Sequence, residues 1–311
     1  MTSIVFALGP IFLLILIGFA IRKKELIAPS FWEPAEGLTY YIFFPALLLQ
    51  TTANANVGDI EVAPMAFAIV ASMVLVAALA VKAKPYLGVN GATFTSVFQG
   101  SIRFNTYVGI AAVSSLWGEP GMTLIAIVIS FTVPLVNVLC VIVMETYGDS
   151  PHRREGFPQF DKLLRAVIRN PLILACLLGL TLNGLDVTLP PILNPLIEIL
   201  ARASLPLGLL CVGAGLQLKT FQEGGKTVFV TSVVKLMILP LVCLICCSLI
   251  GVEGLTRDMC VFFCGLPVAT SSFVLARRMG GNGEIMSGII TVTTLGAMLS
   301  LPLILLLLEM L

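Results

Sequence analysis

Gln99-Gly-Ser-Ile-Arg103-Phe-Asn105-Thr106-Tyr-Val-Gly109 is a polar island inside an otherwise apolar segment, residues 90–117. Directly after that segment runs Gly121–Met144, 24 residues without a single charge. Ser3–Ile21, Val62–Val81 and Ile285–Leu308 are uncharged runs of the same kind, 19 to 24 residues long. About 20 apolar residues of helix span the hydrocarbon core of a bilayer, so the island sits at mid-depth of a membrane helix. The whole 311-residue chain agrees: 58% of its residues are hydrophobic, 11% are charged, and the mean hydropathy is +1.04. Soluble chains carry about 25% charged residues, and this chain could not cover a water-facing surface. Soluble domains, disorder, a secreted disulfide scaffold and a nucleic-acid-binding domain are excluded. The net charge of +1 says nothing about partners.

Ten membrane spans fit, at 3–22, 37–57, 62–81, 90–117, 121–144, 170–186, 189–217, 227–251, 257–277 and 285–308. Long apolar runs argue against a barrel, whose strands alternate over about ten residues. Of the 18 lysines and arginines, 14 fall in loops that follow odd-numbered spans, and only Arg257 falls in a loop on the other side. Basic loops stay cytoplasmic, which predicts both termini outside the cell (inner) membrane and the 145–169 loop in the cytoplasm. The first span carries its charges after the apolar run instead of before it and has no small-residue cleavage site, so it reads as a span and not as a signal peptide. All eight cysteines lie within spans; the C-x-x-C-C cluster at 243–247 lacks a neighbouring histidine or carboxylate, so packing is preferred over metal. His152 reads as a solvated loop residue. No metal and no cofactor is expected.

The chain repeats itself. Pro10–Gly18 matches Pro171–Gly179 at an offset of 161, as Phe44–Leu49 matches Leu205–Leu210. Val133–Val136 matches Leu301–Ile304 at 168. The matches pair spans one and six, two and seven, five and ten. The predicted organisation is a first five-helix repeat at 1–144, a linker loop at 145–169 and a second repeat at 170–311. An odd number of spans per repeat inverts the second copy, the arrangement of secondary transporters with a site at the midplane.

That site is expected at interrupted helices in equivalent places. In span nine, Cys264-Gly265-Leu266-Pro267-Val-Ala-Thr270-Ser271-Ser272 should break near Gly265, with Pro267 in the first turn of a new half-helix. Subtracting the repeat offset from 267 returns to 99–106, the polar island. Asn105, Thr106 and Thr270 to Ser272 are N-cap types, and two half-helix N-termini meeting there would favour an anion. Arg103 can hold a carboxylate through its planar fork, or satisfy carbonyls that the break exposes. Gln99, and Asn137 on span five, are further lining candidates, as are Gln50 and Asn54 on span two. Lys235 on span eight reads either as a support or ion-site cation or as a lysine snorkelling to the interface. Glu198 and Arg202 read as a structural pair. Apart from Glu198, no carboxylate is expected deep in a span, which argues against a relay of acidic residues.

These residues resemble the auxin efflux carrier family, which includes the plant PIN-formed exporters and bacterial organic-acid carriers. The similarity covers almost the whole chain. It is carried by Phe44-Pro45-Ala-Leu-Leu, Gln99-x-x-x-Arg103-x-Asn105-Thr106, Asn170-Pro171-Leu and Pro206-Leu-x-Leu. Leu266-Pro267 with Phe273-Val274-x-Ala276, and Ser300-Leu301-Pro302, complete it. The resemblance implies the fold of bile acid sodium symporters: spans four and nine cross as broken helices within a moving core of spans 3–5 and 8–10. Spans 1, 2, 6 and 7 form a scaffold, often dimeric. It also implies that Asn105 meets the substrate carboxylate. One departure is Gly109-Ile-Ala111, where the plant proteins carry proline. The expected function is secondary, elevator-type transport of small organic anions such as carboxylates or auxin-like acids, with Na+ or H+ coupling left open. A sodium-coupled symporter of the bile acid type and a ligand sensor without turnover are the alternatives. An enzyme is not expected, since no catalytic set appears.

Overall fold

The computed structural model describes residues 2–54, 62–149, 170–217 and 225–311, and every regular element among them is helical. Most of the expected 145–169 linker, with His152, lies outside the described residues. Helix α1 (Thr2–Lys23) ends on Arg22 and Lys23, cations placed where a helix C-terminus attracts them. A rod follows, made of α2 (Trp32–Leu38), a π-turn at Thr39–Phe43 and α3 (Phe44–Ala53). Then come α4 (Val62–Leu87), α5 (Gly91–Ile102) and α6 (Thr106–Tyr147). Gly118, at φ 55 and ψ −139, bends α6 where the sequence places a loop between two spans; only glycine adopts this conformation without strain.

The second half runs through α7 (Pro171–Gly184), α8 (Leu193–Ala214) and α9 (Gly225–Val233). A π-turn at Val234–Ile238 carries α9 directly into α10 (Leu239–Ile250). The chain closes with α11 (Gly254–Cys264), α12 (Ser271–Arg278) and α13 (Gly283–Glu309). Among the described residues, six helical stretches are long and apolar enough to cross a membrane: Phe6–Lys23, Val62–Leu87, Gly91–Tyr147, Leu193–Ala214, Gly225–Ile250 and Gly283–Glu309. Pro171–Gly184 is a shorter apolar helix. The expected segment 37–57 is helical over its described part up to Ala53, with the π-turn inside it, and 257–277 is interrupted by the gap between α11 and α12. The molecule is a multi-pass membrane protein. Phe6, Phe67, Leu177, Phe229, Leu249 and Leu303 point outward and are largely exposed, a surface that suits lipid.

The helices pack in two groups. In one, α8 lies against α1, α2 and α3, and α3 against α7. Backbones touch here, because a β-carbon at Gly18 would overlap the Leu210 carbonyl and one at Gly213 the Ile15 carbonyl. One at Gly179 would meet Leu49 O at 2.8 Å. Small residues at such crossings let membrane helices reach van der Waals contact, the main attraction available to them in lipid. In the other group, α4 packs on α5 and α10, α10 on α11, and α13 on α5, α9 and α11. Phe94, Phe98, Ile102, Phe262 and Phe263 fill its interior. Asn282 staples one end: its Oδ1 caps α13 through the Ile285 N–H (3.1 Å) and its Nδ2 donates to Thr93 Oγ1 (3.1 Å).

Candidate functional site

Both breaks exist, and they touch. Helix α5 ends at Ile102; Arg103, Phe104 and Asn105 run extended, and α6 restarts at Thr106. Helix α11 ends at Cys264, the chain runs non-helically through Gly265 to Thr270, and α12 starts at Ser271. The Asn105 N–H donates to the Pro267 carbonyl at 2.7 Å. Phe104 and Phe263 bring their ring centroids to 4.3 Å. Gly109 accommodates Leu266, whose Cδ1 would lie 2.6 Å from a β-carbon placed there.

A broken helix in lipid is stable only where its freed backbone groups find partners within the protein. Here they do. The Arg103 N–H closes on Gln99 O (2.8 Å), and the Val268 N–H donates to Thr293 Oγ1 (3.2 Å). Lys235, fully buried, donates from Nζ to Cys264 O at 2.8 Å and so neutralises the carbonyl end of α11. It does not snorkel. Its stem is enclosed by packed helices instead of reaching toward a membrane surface. Pro267 lies in the extended link and not in the first turn of α12: its carbonyl is engaged by Asn105, and it has no N–H to satisfy.

Asn105 caps α6, with Oδ1 accepting from the Tyr107 N–H (3.0 Å) and the Val108 N–H (3.3 Å). The residue is 1% exposed, and its Nδ2 has no partner among the described residues. Helix α12 has no such cap. Thr270, expected to cap it, donates its hydroxyl instead to Glu36 Oε1 at 2.7 Å. Ser271 is exposed, whereas Ser272 is fully buried with an unpartnered hydroxyl. Arg103, half-buried, donates from Nη1 to Gln99 Oε1 (3.3 Å) and from Nη2 to Asn137 Oδ1 (3.0 Å). Its partners are therefore side-chain amides, not carbonyls freed by the break. Gln99 Nε2 is buried and unpartnered. Thr106 opens α6, half-buried. Gln99, Arg103, Asn105, Asn137, Pro267 and Thr270 thus form one connected neighbourhood. Asn54 instead donates back to Gln50 O on α3, and Glu198 pairs with Arg202 on the exposed face of α8.

The rod of α2 and α3 adds residues absent from the expected set. Glu36, Tyr40 and Phe44 are spaced by four and line one stripe. Glu36 accepts from Thr270; Tyr40 lies beside Asn170 and within the field of Arg103; Phe44 stacks on Tyr107 at 4.4 Å and 20°. Glu36 corrects the expectation about carboxylates: it reaches the second break although it lies one residue before the span as drawn. Glu198, the expected deep carboxylate, is half-buried and pairs with Arg202 away from both breaks.

Among the described residues no group of histidines, cysteines and carboxylates is arranged to hold a metal ion, and the eight cysteines are free. A cavity of about 250 Å³ opens beside the Gly118 bend between α1, α11 and α13, lined among others by Trp117, Asp258 and Glu309. None of the break residues lines it.

Residues 3–305 match the model of a family described as membrane transport protein. A protein of Rhizobium meliloti (strain 1021), named "Putative malonate transporter", is 24% identical over 297 residues, covering 92% of this chain and 90% of its own.

Proposed function

The chain belongs to the membrane transport protein family, that of the auxin efflux carriers, and on that premise we propose that it is a secondary carrier of small organic anions such as carboxylates or auxin-like acids. It is a transporter and not an enzyme. The observation that carries the anion is the set of orphaned polar atoms at the breaks. Of five buried side-chain N or O atoms without a partner among the described residues, three are Gln99 Nε2, Asn105 Nδ2 and Ser272 Oγ. Leaving a buried donor unmade costs about 1–3 kcal/mol, so a ligand that completes them binds with a matching advantage. Two helix N-termini, at Thr106 and Ser271, and the Arg103 guanidinium give that ligand its sign.

The movement proposed is of elevator type, in a ten-span fold with inverted five-helix repeats and crossed helices four and nine. The group holding both breaks slides against the group of α1, α2, α3, α7 and α8. Support for the inverted repeat comes from one pair of contacts. Gly18 packs on Leu210 and Gly179 on Leu49, and both residues of the first contact map onto those of the second at the offset of 161. A homodimer built on the scaffold, both termini outside, completes the proposal.

The test is counterflow in proteoliposomes with malonate, the anion in the relative's name, alongside a thermal-shift panel of mono- and dicarboxylates with and without sodium. Exchange of external labelled malonate against an internal load, independent of sodium, is the expected result. Ligand-induced stabilisation without any exchange would turn the reading toward a sensor, and exchange only with sodium toward a sodium symporter.

A further inference from the structure

Glu36 is half-buried on the scaffold side of the interface, and its carboxylate accepts from a hydroxyl at the second break. The groups around it come from every element packed there. Glu33 shares α2, Cys211 faces it from α8, Tyr40 follows on the π-turn, and Tyr107 and Thr270 approach from the broken helices. Arg103 acts on Tyr40, the next residue of the stripe, and has no ion pair with Glu36 among the described residues. No lysine or arginine pairs with Glu36 among the described residues. The negative charge of Glu36 therefore stands beside a cluster whose remaining features favour an anion.

Resting on the transport reading above, we propose that Glu36 is the proton-binding group of the transport cycle and that one proton enters with each substrate anion. Two negative charges a few ångströms apart at low dielectric repel strongly, so an arriving carboxylate raises the proton affinity of Glu36, and a proton on Glu36 raises the affinity for the carboxylate by the same factor. The proton comes from water on the side of entry, rests on a Glu36 carboxyl oxygen, and leaves to water on the other side when the anion leaves. Protonation also changes the bond to Thr270 from a charge-assisted one to a neutral one, about half as strong. That bond joins the scaffold rod to the broken-helix group. Loading the site with anion and proton thus loosens the tie that resists sliding, and the empty, deprotonated carrier slides back more slowly against the stronger bond.

The experiment compares the wild-type chain with Glu36→Gln and Glu36→Asp in proteoliposomes, using labelled malonate with the membrane potential clamped at zero by potassium and valinomycin. With one proton per anion, the wild type should accumulate malonate about tenfold per pH unit of inside-alkaline gradient. Glu36→Gln should still exchange malonate, at whatever rate, yet accumulate none under the gradient, and Glu36→Asp should restore accumulation. Equal accumulation by Glu36→Gln, or a wild type that exchanges malonate but ignores the gradient, would overturn the proposal. If the wild type exchanges no malonate, that failure belongs to the transport reading, and infrared difference spectra of the purified proteins decide the proposal separately. A protonated-carboxyl band that titrates in the wild type and is missing in Glu36→Gln upholds it; identical spectra overturn it.

Discussion

Asn105 does three jobs with one side chain and one amide. Its Oδ1 caps α6, its N–H holds Pro267 O, and its Nδ2 stays unpartnered. Alanine would keep the bond to Pro267 and lose the other two features. Losing a cap costs about 1 kcal/mol, small beside the stability of the assembled protein. Asn105→Ala is therefore expected to insert normally while transport falls below roughly a tenth of wild type through the lost ligand contact. Uptake normalised to protein in sealed vesicles measures it, and undiminished uptake would remove Asn105 from the site. Asn105 and Arg103 were legible in the sequence because polar residues are costly and rare at mid-membrane, so each one present asks for a reason. Glu36 was not, since it sits at a span edge where carboxylates are common. Only the packing of the rod against Thr270 distinguishes it from Glu33, its solvent-facing neighbour.

Among the elements, α1 offers the cleanest contrast. Gly18 touches the α8 backbone, whereas a β-carbon at Gly9 would meet nothing within 4 Å. Gly18→Ala should destabilise by about 1–3 kcal/mol, the usual cost of overpacking a tight contact. Gly9→Ala should stabilise by about 0.5–1 kcal/mol by restricting the unfolded helix segment. Opposite shifts in melting temperature of the detergent-solubilised proteins would check both, and a Gly18→Ala protein as stable as wild type would contradict the close crossing. The breaks in spans four and nine were legible because Gly and Pro interrupt helices by known means. Where α12 begins was not: Pro267 looks like a helix start, but tertiary bonding of its carbonyl to Asn105 overrides that preference. The two π-turns are marked only indirectly: neither contains Gly, but Pro45 and Pro240 follow them just inside the next helix and withhold the N–H that a regular helix would donate back into the turn.

For the whole molecule, apolar runs and the scarcity of charge were enough to read a polytopic helical membrane protein. The distribution of basic residues predicts an orientation: ten spans with basic loops inside would put both ends of the chain on the outer face. A protease-cleavable tag at either terminus should be cut by protease added to intact cells, and a tag protected at one end alone would require an odd number of spans. How the two helix groups pack was not readable from composition. The glycine contacts that define it depend on which faces meet, and the repeat offset hints at this only after Gly18 and Gly179 are seen to perform the same contact.

Lys235 has a consequence for how the protein is made. It precedes its acceptor, the carbonyl of Cys264, by 29 residues. During synthesis the helix bearing Lys235 is complete before that acceptor exists. A lone lysine at the centre of a helix opposes insertion by about 2.5–3.5 kcal/mol. The earlier helix is therefore expected to settle fully into the bilayer only when the later one arrives to receive its ammonium group. Chains stalled while Cys264 is still inside the ribosome should leave Lys235 near the aqueous border of the insertion channel, and chains long enough to bring Cys264 out into the membrane should draw it inside.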